Sequence, residues 1–466
     1  MKKNQLDSDT ESVKTKKATA AAIAKENDTD GEDDVKSKSK RPHDRGAFAR
    51  FEAKYHLIGN VVAAALIIVL ALMCAFSTVQ ISMPAADSDN GIVVEQSMID
   101  LGKSVTGLFM SAEDQNAFVA EYEVNIGTIM LDAYAKHGDD EKALAGYIGD
   151  ELSKTEYAKY MLIKSKNNLT VDADSLPEGS EAASLIRTLE RYFSFGTVVL
   201  GIASCVPMAL AVLSAAILLI KALFLLLFMR NGKNLHIAFP LMNTFVILAM
   251  VMMNLGAGFH PGIFIYAIFG ASFIGMLLAG IIRYVTYPNK FMGRGLARYI
   301  VMQAGMVVAL CMSLLDTLIV KMGDVSVSMS VGELVNSGLI TSHLSGGFDT
   351  STWVMPLALD VIMLLATFIM GCIMASKMFT VGNRWRKRQW KARNELTAIS
   401  AILVTGFMAG FGYLYTFIYN NYIHAIEGLK LELNWMVLIA PVVLLLVFIF
   451  LLILRPAKRQ RSGDDD

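Results

Sequence analysis

Residues 198–228 read VVLGIASCVPMALAVLSAAILLIKALFLLLF, and this stretch decides the class of fold. Its only charged residue is Lys221. A membrane-spanning helix needs about 20 consecutive, predominantly apolar residues to cross the hydrocarbon core. The stretch exceeds that length, so it predicts a helix that crosses a membrane.

Seven further apolar runs of similar length occur along the chain. They lie near 58–81, 235–256, 262–282, 299–322, 353–376, 396–421 and 434–454. The chain has 466 residues, 54% of them hydrophobic, and a mean hydropathy of +0.46. These values exclude a string of soluble domains, a collagen-like chain and a disulfide scaffold. They predict an all-α polytopic membrane protein with eight transmembrane helices.

Basic residues alternate between the two sides of these predicted helices. Lys and Arg cluster between helices 2 and 3, 4 and 5, and 6 and 7, and again after helix 8. The three short connections on the other side contain only Lys430. Because cytoplasmic loops of membrane proteins carry the excess of Lys and Arg, we expect both termini to be cytoplasmic.

The segments outside the membrane differ in composition. Residues 1–57 are polar and charged, which predicts a disordered cytoplasmic tail whose basic end attracts anionic lipid headgroups. Helix 1 is expected at 58–81, an extracytoplasmic domain at 82–194, and a seven-helix bundle at 195–455. A short cytoplasmic tail, 456–466, follows.

The segment 82–194 has the pattern of a small helical domain. Ser111-x-x-Asp114 predicts the start of a helix, and Gly138 a stop. An apolar stripe at helical spacing lies between them. Two more helices are expected, the last running without a break into membrane helix 2. With 20 acidic and nine basic residues the segment is acidic. That charge either solvates an exposed domain or forms a cation or basic-ligand site.

Motifs for catalysis, metals and cofactors are missing from the sequence. It has no phosphate-binding loop of the G-x-x-x-x-G-K-[ST] type, no G-x-S-x-G elbow and no paired-histidine motif. All four cysteines fall inside predicted membrane helices, without metal spacing. We therefore expect no cofactor, no metal, no nucleic-acid partner and no energy-supplying ATPase within the chain itself, and nothing favours an enzyme.

Two carboxylates at membrane depth are the strongest candidate site. Asp316 and Asp360 are predicted to lie at similar depths on consecutive helices 5 and 6, each on a face of small residues. Asn254 on helix 3 is expected nearby. Two close carboxylates in a low dielectric cannot both stay ionised, so one could carry a proton or hold a cation. Alternatively each forms a separate hydrogen bond that holds the bundle together.

The connection 377–395 combines aromatic and basic side chains. Its candidate surface comprises Trp385, Arg386, Lys387, Arg388 and Trp390. Trp prefers the membrane interface and cations prefer anionic headgroups, which predicts a helix lying on the bilayer. Binding of a cytoplasmic partner protein is the alternative.

Small residues at four-residue spacing predict close contacts between helices. Three such patterns occur, beginning at Ala271 in helix 4, Gly371 in helix 6 and Gly406 in helix 7.

Two functions fit these features. The first is a transport-type membrane protein, either a secondary carrier or the permease subunit of a complex of several chains. The second is a sensor or assembly scaffold that couples the extracytoplasmic domain to a cytoplasmic partner. The cysteine-free outer segments fit a bacterial cytoplasmic membrane.

Overall fold

The computed structural model describes most of the chain outside its two ends. The described residues are 51, 57–83, 92–138, 140–167, 195–228, 235–256, 258–286, 292–314, 317–322, 325–330, 350–386, 394–423 and 429–454. They are mostly helical.

Seven helices in the described part of the chain are long and apolar enough to cross a membrane. They contain the segments Leu57–Ala75, Val198–Leu227, Ala238–Leu255, Arg294–Ser313, Val361–Arg384, Asn394–Tyr422 and Trp435–Ile453. A further helix contains the shorter apolar segment Ile263–Leu278. The chain is therefore a multi-pass membrane protein, as its composition predicts.

The first half of the chain alternates membrane helices with a small sheet. Its elements are α1 (Leu57–Ala75), β1 (Thr78–Met83), β2 (Ile92–Ser97), α2 (Met98–Ser104), α3 (Ala112–His137), α4 (Glu141–Ser153), α5 (Tyr157–Asn167), α6 (Phe195–Ala203), α7 (Cys205–Leu227), α8 (Ala238–Leu255), β3 (Phe259–Pro261) and α9 (Ile263–Thr286). We call β2 together with α2 to α5 the insert.

The second half repeats this order without the insert helices. Its elements are α10 (Met292–Leu314), β4 (Leu318–Met322), β5 (Val325–Met329), α11 (Thr350–Arg386), α12 (Asn394–Ile418), β6 (Leu429–Leu433) and α13 (Ile439–Ile453). In each half, one membrane helix leads into a hairpin, two helices follow, and a single strand precedes the last helix.

The two sheets have the same topology. Strand order is β2-β1-β3 in the first sheet and β5-β4-β6 in the second, and all neighbouring strands are antiparallel. In both, the strand that follows the first membrane helix is central. Both sheets lie at the end of the bundle where α1, α8, α10 and α12 finish, which we call the sheet end.

The long apolar helices pack in the same way within each half. In the first half α1 contacts α7 and α9, and α8 contacts the same two helices. In the second half α10 contacts α11 and α13, and α12 contacts the same two. The halves meet mainly where α8 packs on α11, with a smaller contact between α9 and α10. The chain thus contains two structurally similar four-helix units.

The strands correct four predictions. Membrane helix 1 does not run to residue 81, because α1 ends at Ala75 and Thr78–Met83 forms β1. The hairpin β1–β2 extends into residues 82–194, so that segment is not purely helical. Membrane helix 5 does not run to residue 322, because Leu318–Met322 forms β4. Lys321 therefore lies at the sheet end beside Lys430, so the short connections at that end contain two basic residues and not Lys430 alone.

The insert confirms the predicted start and stop of its longest helix. The Ser111 hydroxyl accepts a hydrogen bond from the Asp114 backbone N–H and donates one to its carboxylate. Gly138 ends α3 with a φ of 58° and donates its N–H to the carbonyl of Tyr134. The predicted helix that joins the insert to membrane helix 2 falls on 168–194, outside the described residues.

Candidate functional site

The predicted intramembrane site is only partly described. Asn254 lies in the last turn of α8 and is buried. Asp360 lies within α11. Asp316 lies outside the described residues, between the last described residue of α10 and the start of β4. The distance between the two carboxylates stays a prediction.

The helices that carry this site do meet. α11 contacts both α8 and α10. Gly371 of α11 lies against the side chain of Val251, so closely that a Cβ at position 371 would overlap it. Gly382, further along α11, lies in the same way against Pro240. The pattern beginning at Gly371 thus makes the predicted close contact between helices.

The other two small-residue patterns have opposite outcomes. Gly275, the middle residue of the pattern beginning at Ala271, packs against the ring of Phe239 and confirms that prediction. Gly406 and Gly410 of α12 are exposed, and a Cβ at either would meet no atom within 4 Å. The expectation of a close helix contact at Gly406 is wrong within this chain.

A buried ion pair joins α10 and α12 at the end opposite the sheets. Arg298 donates from Nη2 to Glu395 Oε1 at 2.6 Å, and the side chains are 4% and 12% exposed. Taking both charges out of water is costly and is offset only while both partners are present. The pair therefore ties the beginnings of α10 and α12 to each other.

Further polar contacts near this ion pair join α11 to α10 and α12. Arg384 donates to Asn394 Oδ1 at 3.3 Å and to Thr397 Oγ1 at 2.9 Å. Gln303 of α10 donates to the Met378 carbonyl of α11 at 3.5 Å. We call Arg298, Gln303, Arg384, Asn394, Glu395 and Thr397 the polar cluster. It holds three of the four membrane helices of the second half together.

The sequence places two residues of the polar cluster next to predicted membrane helices. Arg298 and Glu395 lie at the ends of the predicted connections between helices 4 and 5 and between helices 6 and 7, each immediately before an apolar run. The helices begin earlier, at Met292 and Asn394, so both charges lie inside helices. One sequence does not reveal that these two helix ends meet, because their pairing depends on how the bundle packs.

The predicted aromatic and basic surface starts on a helix. Trp385 and Arg386 are the last residues of α11, whereas Lys387, Arg388 and Trp390 lie outside the described residues. The connection is shorter than the predicted 377–395, because α11 continues to Arg386 and Val381 is buried in the bundle.

The first sheet joins the insert to the membrane helices. β2 of the insert pairs with β1, which follows α1 directly, and β1 also pairs with β3 between α8 and α9. Gly149 of α4 lies against the backbone carbonyl of Val93 in β2. A displacement of the insert would therefore act on the ends of α1, α8 and α9.

The insert also carries a shallow groove of about 530 Å³ beside α3. Its walls include Phe118, Glu121, Tyr122 and Glu156. Burial raises the pKa of Tyr122 to about 12, against the opposing effect of its hydrogen bond with Thr155. Among the described residues no group of His, Cys, Asp and Glu is arranged to hold a metal ion.

The chain was compared with protein families, curated proteins and solved structures. No protein-family model, no curated protein and no solved structure matches the chain.

Proposed function

We propose that the chain is a transport-type membrane protein, acting as the permease subunit of a complex whose energy-supplying chain is separate. The repeated four-helix unit carries this proposal. Many transporters are built from two repeated halves, with their binding sites near the interface between the halves. Here the two halves run in the same direction, since each contains an even number of helices, and α8 and α11 form most of their interface.

The proposal includes an eight-helix topology. α9 (Ile263–Thr286), fourth in chain order, brings the number of transmembrane helices to eight. Its 24 residues are long enough to cross the bilayer. The sheet end and the insert face the extracytoplasmic side, and both termini are cytoplasmic. Support comes from the basic residues, which concentrate in the connections at the opposite end.

Accessible cysteines test this topology. Single cysteines at positions 140, 340 and 428, in a chain without its native cysteines, should react with an impermeant thiol reagent added outside. Cysteines at 232, 290 and 388 should react only after the membrane is opened. Reversal at one position would disprove the topology of that connection.

Co-purification and flux measurements test the permease function. The full chain, purified in mild detergent, should retain an ATP-hydrolysing chain at constant stoichiometry through size-exclusion chromatography. The ATPase activity should depend on this chain being present. A chain that purifies alone but moves protons in proteoliposomes would replace the permease with a secondary carrier. Failure in both measurements would exclude the ATP-driven permease and a proton-coupled carrier.

A sensor or assembly scaffold is the second candidate. The continuous sheet β2-β1-β3, which joins the insert to three membrane helices, is the observation that favours it. Co-purification with a histidine kinase or a secretion component, and no ATPase, would select this function.

Asp316 and Asp360, with Asn254, are proposed to form the polar site of the transport path. The support is that α10 and α11 are in contact and that α8 packs on α11. Asp316→Asn and Asp360→Asn should each abolish pH-dependent transport while the folded yield stays unchanged. Loss of folded protein would show that the two carboxylates have a structural role.

The surface formed by Trp385, Arg386, Lys387, Arg388 and Trp390 is proposed to bind anionic lipid headgroups. Its composition supports this. Substituting the three basic residues with Gln should weaken retention of anionic lipid in nanodiscs without changing the fold. If it instead removes a co-purifying protein, the surface is a partner site.

A further inference from the structure

The second four-helix unit contains a series of buried polar side chains. Its helices form a ring in which α10 and α12 each pack on α11 and α13, so α10 and α12 face each other across the interior. Six polar residues of α10, α11 and α12 form the series, five of them buried and the sixth, Glu395, with its side chain 12% exposed. We call these six residues the polar row: Arg298, Gln303, Ser313, Thr367, Glu395 and Thr405.

The polar row extends along most of the unit. At a rise of about 1.5 Å per residue, Ser313 lies about 22 Å along α10 from Arg298, and Gln303 lies between them. On α12, Thr405 lies about 15 Å from Glu395. Thr367 belongs to α11, which crosses the same interior. Polar groups at membrane depth are costly and mark the paths of ions and substrates.

Ser313 faces the interior of the ring. Gly305 of α10 packs on Val447 of α13, and Gln303 of α10 donates to the Met378 carbonyl of α11. At about 100° per residue, Ser313 lies about 80° from each of these two positions and between them. Its side chain is therefore directed between α13 and α11, toward α12.

The two threonines of the polar row are also directed inward. On α11, Thr367 lies about 40° from Gly371, which packs on α8, and about 40° from Met363, which lies near Gly412 of α12. Thr405 lies near the centre of the buried face of α12. All three hydroxyls of the polar row thus point to one interior.

The polar row presents oxygen acceptors to that interior. The hydroxyls of Ser313, Thr367 and Thr405 each donate to the carbonyl four residues earlier in their own helix, at 2.8–3.0 Å. Their lone pairs, and no proton, remain for the interior. Gln303 Oε1 and Glu395 Oε2 are buried and accept no hydrogen bond from any described residue. Buried acceptors without a donor are costly, and a ligand that donates protons or carries positive charge satisfies them.

Arg298 is the positive group of the polar row and lies at its end opposite the sheets. Its Nη2 binds Glu395 Oε1, whereas its Nε is buried without an acceptor among the described residues. An arginine in a narrow path excludes cations by its charge. We propose that the polar row is a path for a small cation, hydronium or an alkali-metal ion, and that Arg298 is the gate that closes it.

The path rests on the proposed transport function and adds a substrate class and a gate to it. Asp360 precedes Thr367 by seven residues on α11, which is two helical turns on one face. The proposed site of Asp316 and Asp360 would therefore lie at the end of the path away from Arg298.

Cation flux into proteoliposomes of the purified full chain tests the gate. Arg298→Gln removes the positive charge and leaves the carboxylate of Glu395, so flux under an imposed membrane potential should rise about tenfold over the unchanged chain. Glu395→Gln and Arg298→Lys both keep the positive charge, and their flux should stay at the unchanged level. A pH-sensitive dye inside the vesicles reports hydronium, and a sodium-sensitive dye reports an alkali-metal ion.

Two hydroxyls test the path itself. Thr367→Val and Thr405→Val keep the side-chain volume and remove the acceptor. Added to Arg298→Gln, they should return flux to the level of the unchanged chain. Thr380→Val is the matched control, since its hydroxyl makes the same kind of bond, to the Ser376 carbonyl. Thr380 lies about 140° around α11 from Thr367, away from the interior.

Two further variants control for folding and for charge. If size-exclusion chromatography shows that Arg298→Gln is not folded, Arg298→Gln with Glu395→Gln replaces it. This double variant leaves neither charge of the pair and should also conduct. Arg384→Gln removes another positive charge at the same end, but Arg384 is half-buried and bonds neutral side chains. Its flux should equal that of the unchanged chain.

Equal flux in Arg298→Gln and Glu395→Gln would overturn the gate, because a purely structural pair is lost in either variant. Flux through Arg298→Gln that Thr367→Val and Thr405→Val do not lower would overturn the path. If an ATPase is retained in spite of either result, the permease function stands without this path. Gated flux without a retained ATPase would keep the path and exclude the permease.

Discussion

Val251 of α8 packs directly against Gly371 of α11, and this contact lies at the main junction between the two four-helix units. A hydrogen atom in place of a side chain at position 371 is what allows α11 to approach α8 this closely. Close approach of helices at small residues is a principal source of stability inside a membrane, where no hydrophobic effect drives helices together.

Gly371→Ala should therefore lower stability. The added methyl group would overlap Val251, and overpacking of this kind costs about 1–3 kcal/mol. Thermal unfolding of the purified chain in detergent measures the change. Gly406→Ala is the control, because a Cβ at Gly406 meets no atom within 4 Å. Equal shifts in the two variants would contradict the contact between Val251 and Gly371.

Removing one partner of the buried ion pair should be more damaging than removing both. Glu395→Leu leaves the Arg298 charge buried without its carboxylate, at a cost of about 3–5 kcal/mol. The double variant Arg298→Met with Glu395→Leu should be more stable than either single variant. Thermal unfolding of the three proteins tests this order. Additive losses in the double variant would show that the two side chains do not depend on each other.

A surface pair gives the matched control for that experiment. Lys321 and Glu432 join β4 to β6 at 2.7 Å, and their side chains are 43% and 50% exposed. Because solvent screens such a pair, Glu432→Gln should change stability by less than about 1 kcal/mol.

Gly149→Ala should detach α4 from β2. A methyl group at Gly149 would overlap the carbonyl of Val93, whereas Gly146 of the same helix has open space around it. Backbone carbonyls cannot rotate away as a side chain can, so we expect faster hydrogen exchange across β2 and α4. Gly146→Ala should leave exchange unchanged, or slow it through the higher helix propensity of Ala. Unchanged exchange in Gly149→Ala would refute the contact.

Acid should weaken the start of α2. A hydrogen bond from the Ser97 hydroxyl to Asp100 lowers the pKa of that carboxyl, and Lys103 lowers it further, while partial burial opposes them. A folded pKa below the unfolded value stabilises the protein above pH ~4, and this contribution is lost as pH falls through the folded pKa.

Thermal midpoints between pH 5 and pH 3 measure the effect of Asp100. The loss should be below about 1 kcal/mol, because solvent screens a side chain that is 49% exposed. Asp100→Asn should reduce the loss of stability over this range. If the variant shows the same pH dependence as the unchanged protein, Asp100 does not contribute.

Two strands that the sequence analysis does not predict nevertheless have the alternating residue pattern of a strand. Val325–Met329 and Leu429–Leu433 alternate apolar and polar residues strictly, which is the period of a strand with one buried face. β4 (Leu318–Met322) carries no such pattern. Its apolar residues continue those of α10, so the sequence predicts one membrane helix across both elements.

The buried face of α3 and the polar cluster differ in how they could be found. The apolar spacing of α3 is a regular pattern within one helix and is visible in the sequence. The Arg298–Glu395 pair joins residues 97 positions apart. Nothing local to either residue indicates the other.

The sequence by itself determined the membrane class, the approximate positions of the apolar helices and the caps of α3. These depend on the transfer of side chains out of water and on hydrogen bonds within one or two turns, which neighbouring residues settle. The tertiary structure decided which helices meet, that the two halves repeat one topology, and which small-residue faces are buried. Those outcomes depend on strand pairing and side-chain packing between residues far apart in the chain, and the energies of such contacts exist only once both partners are in place.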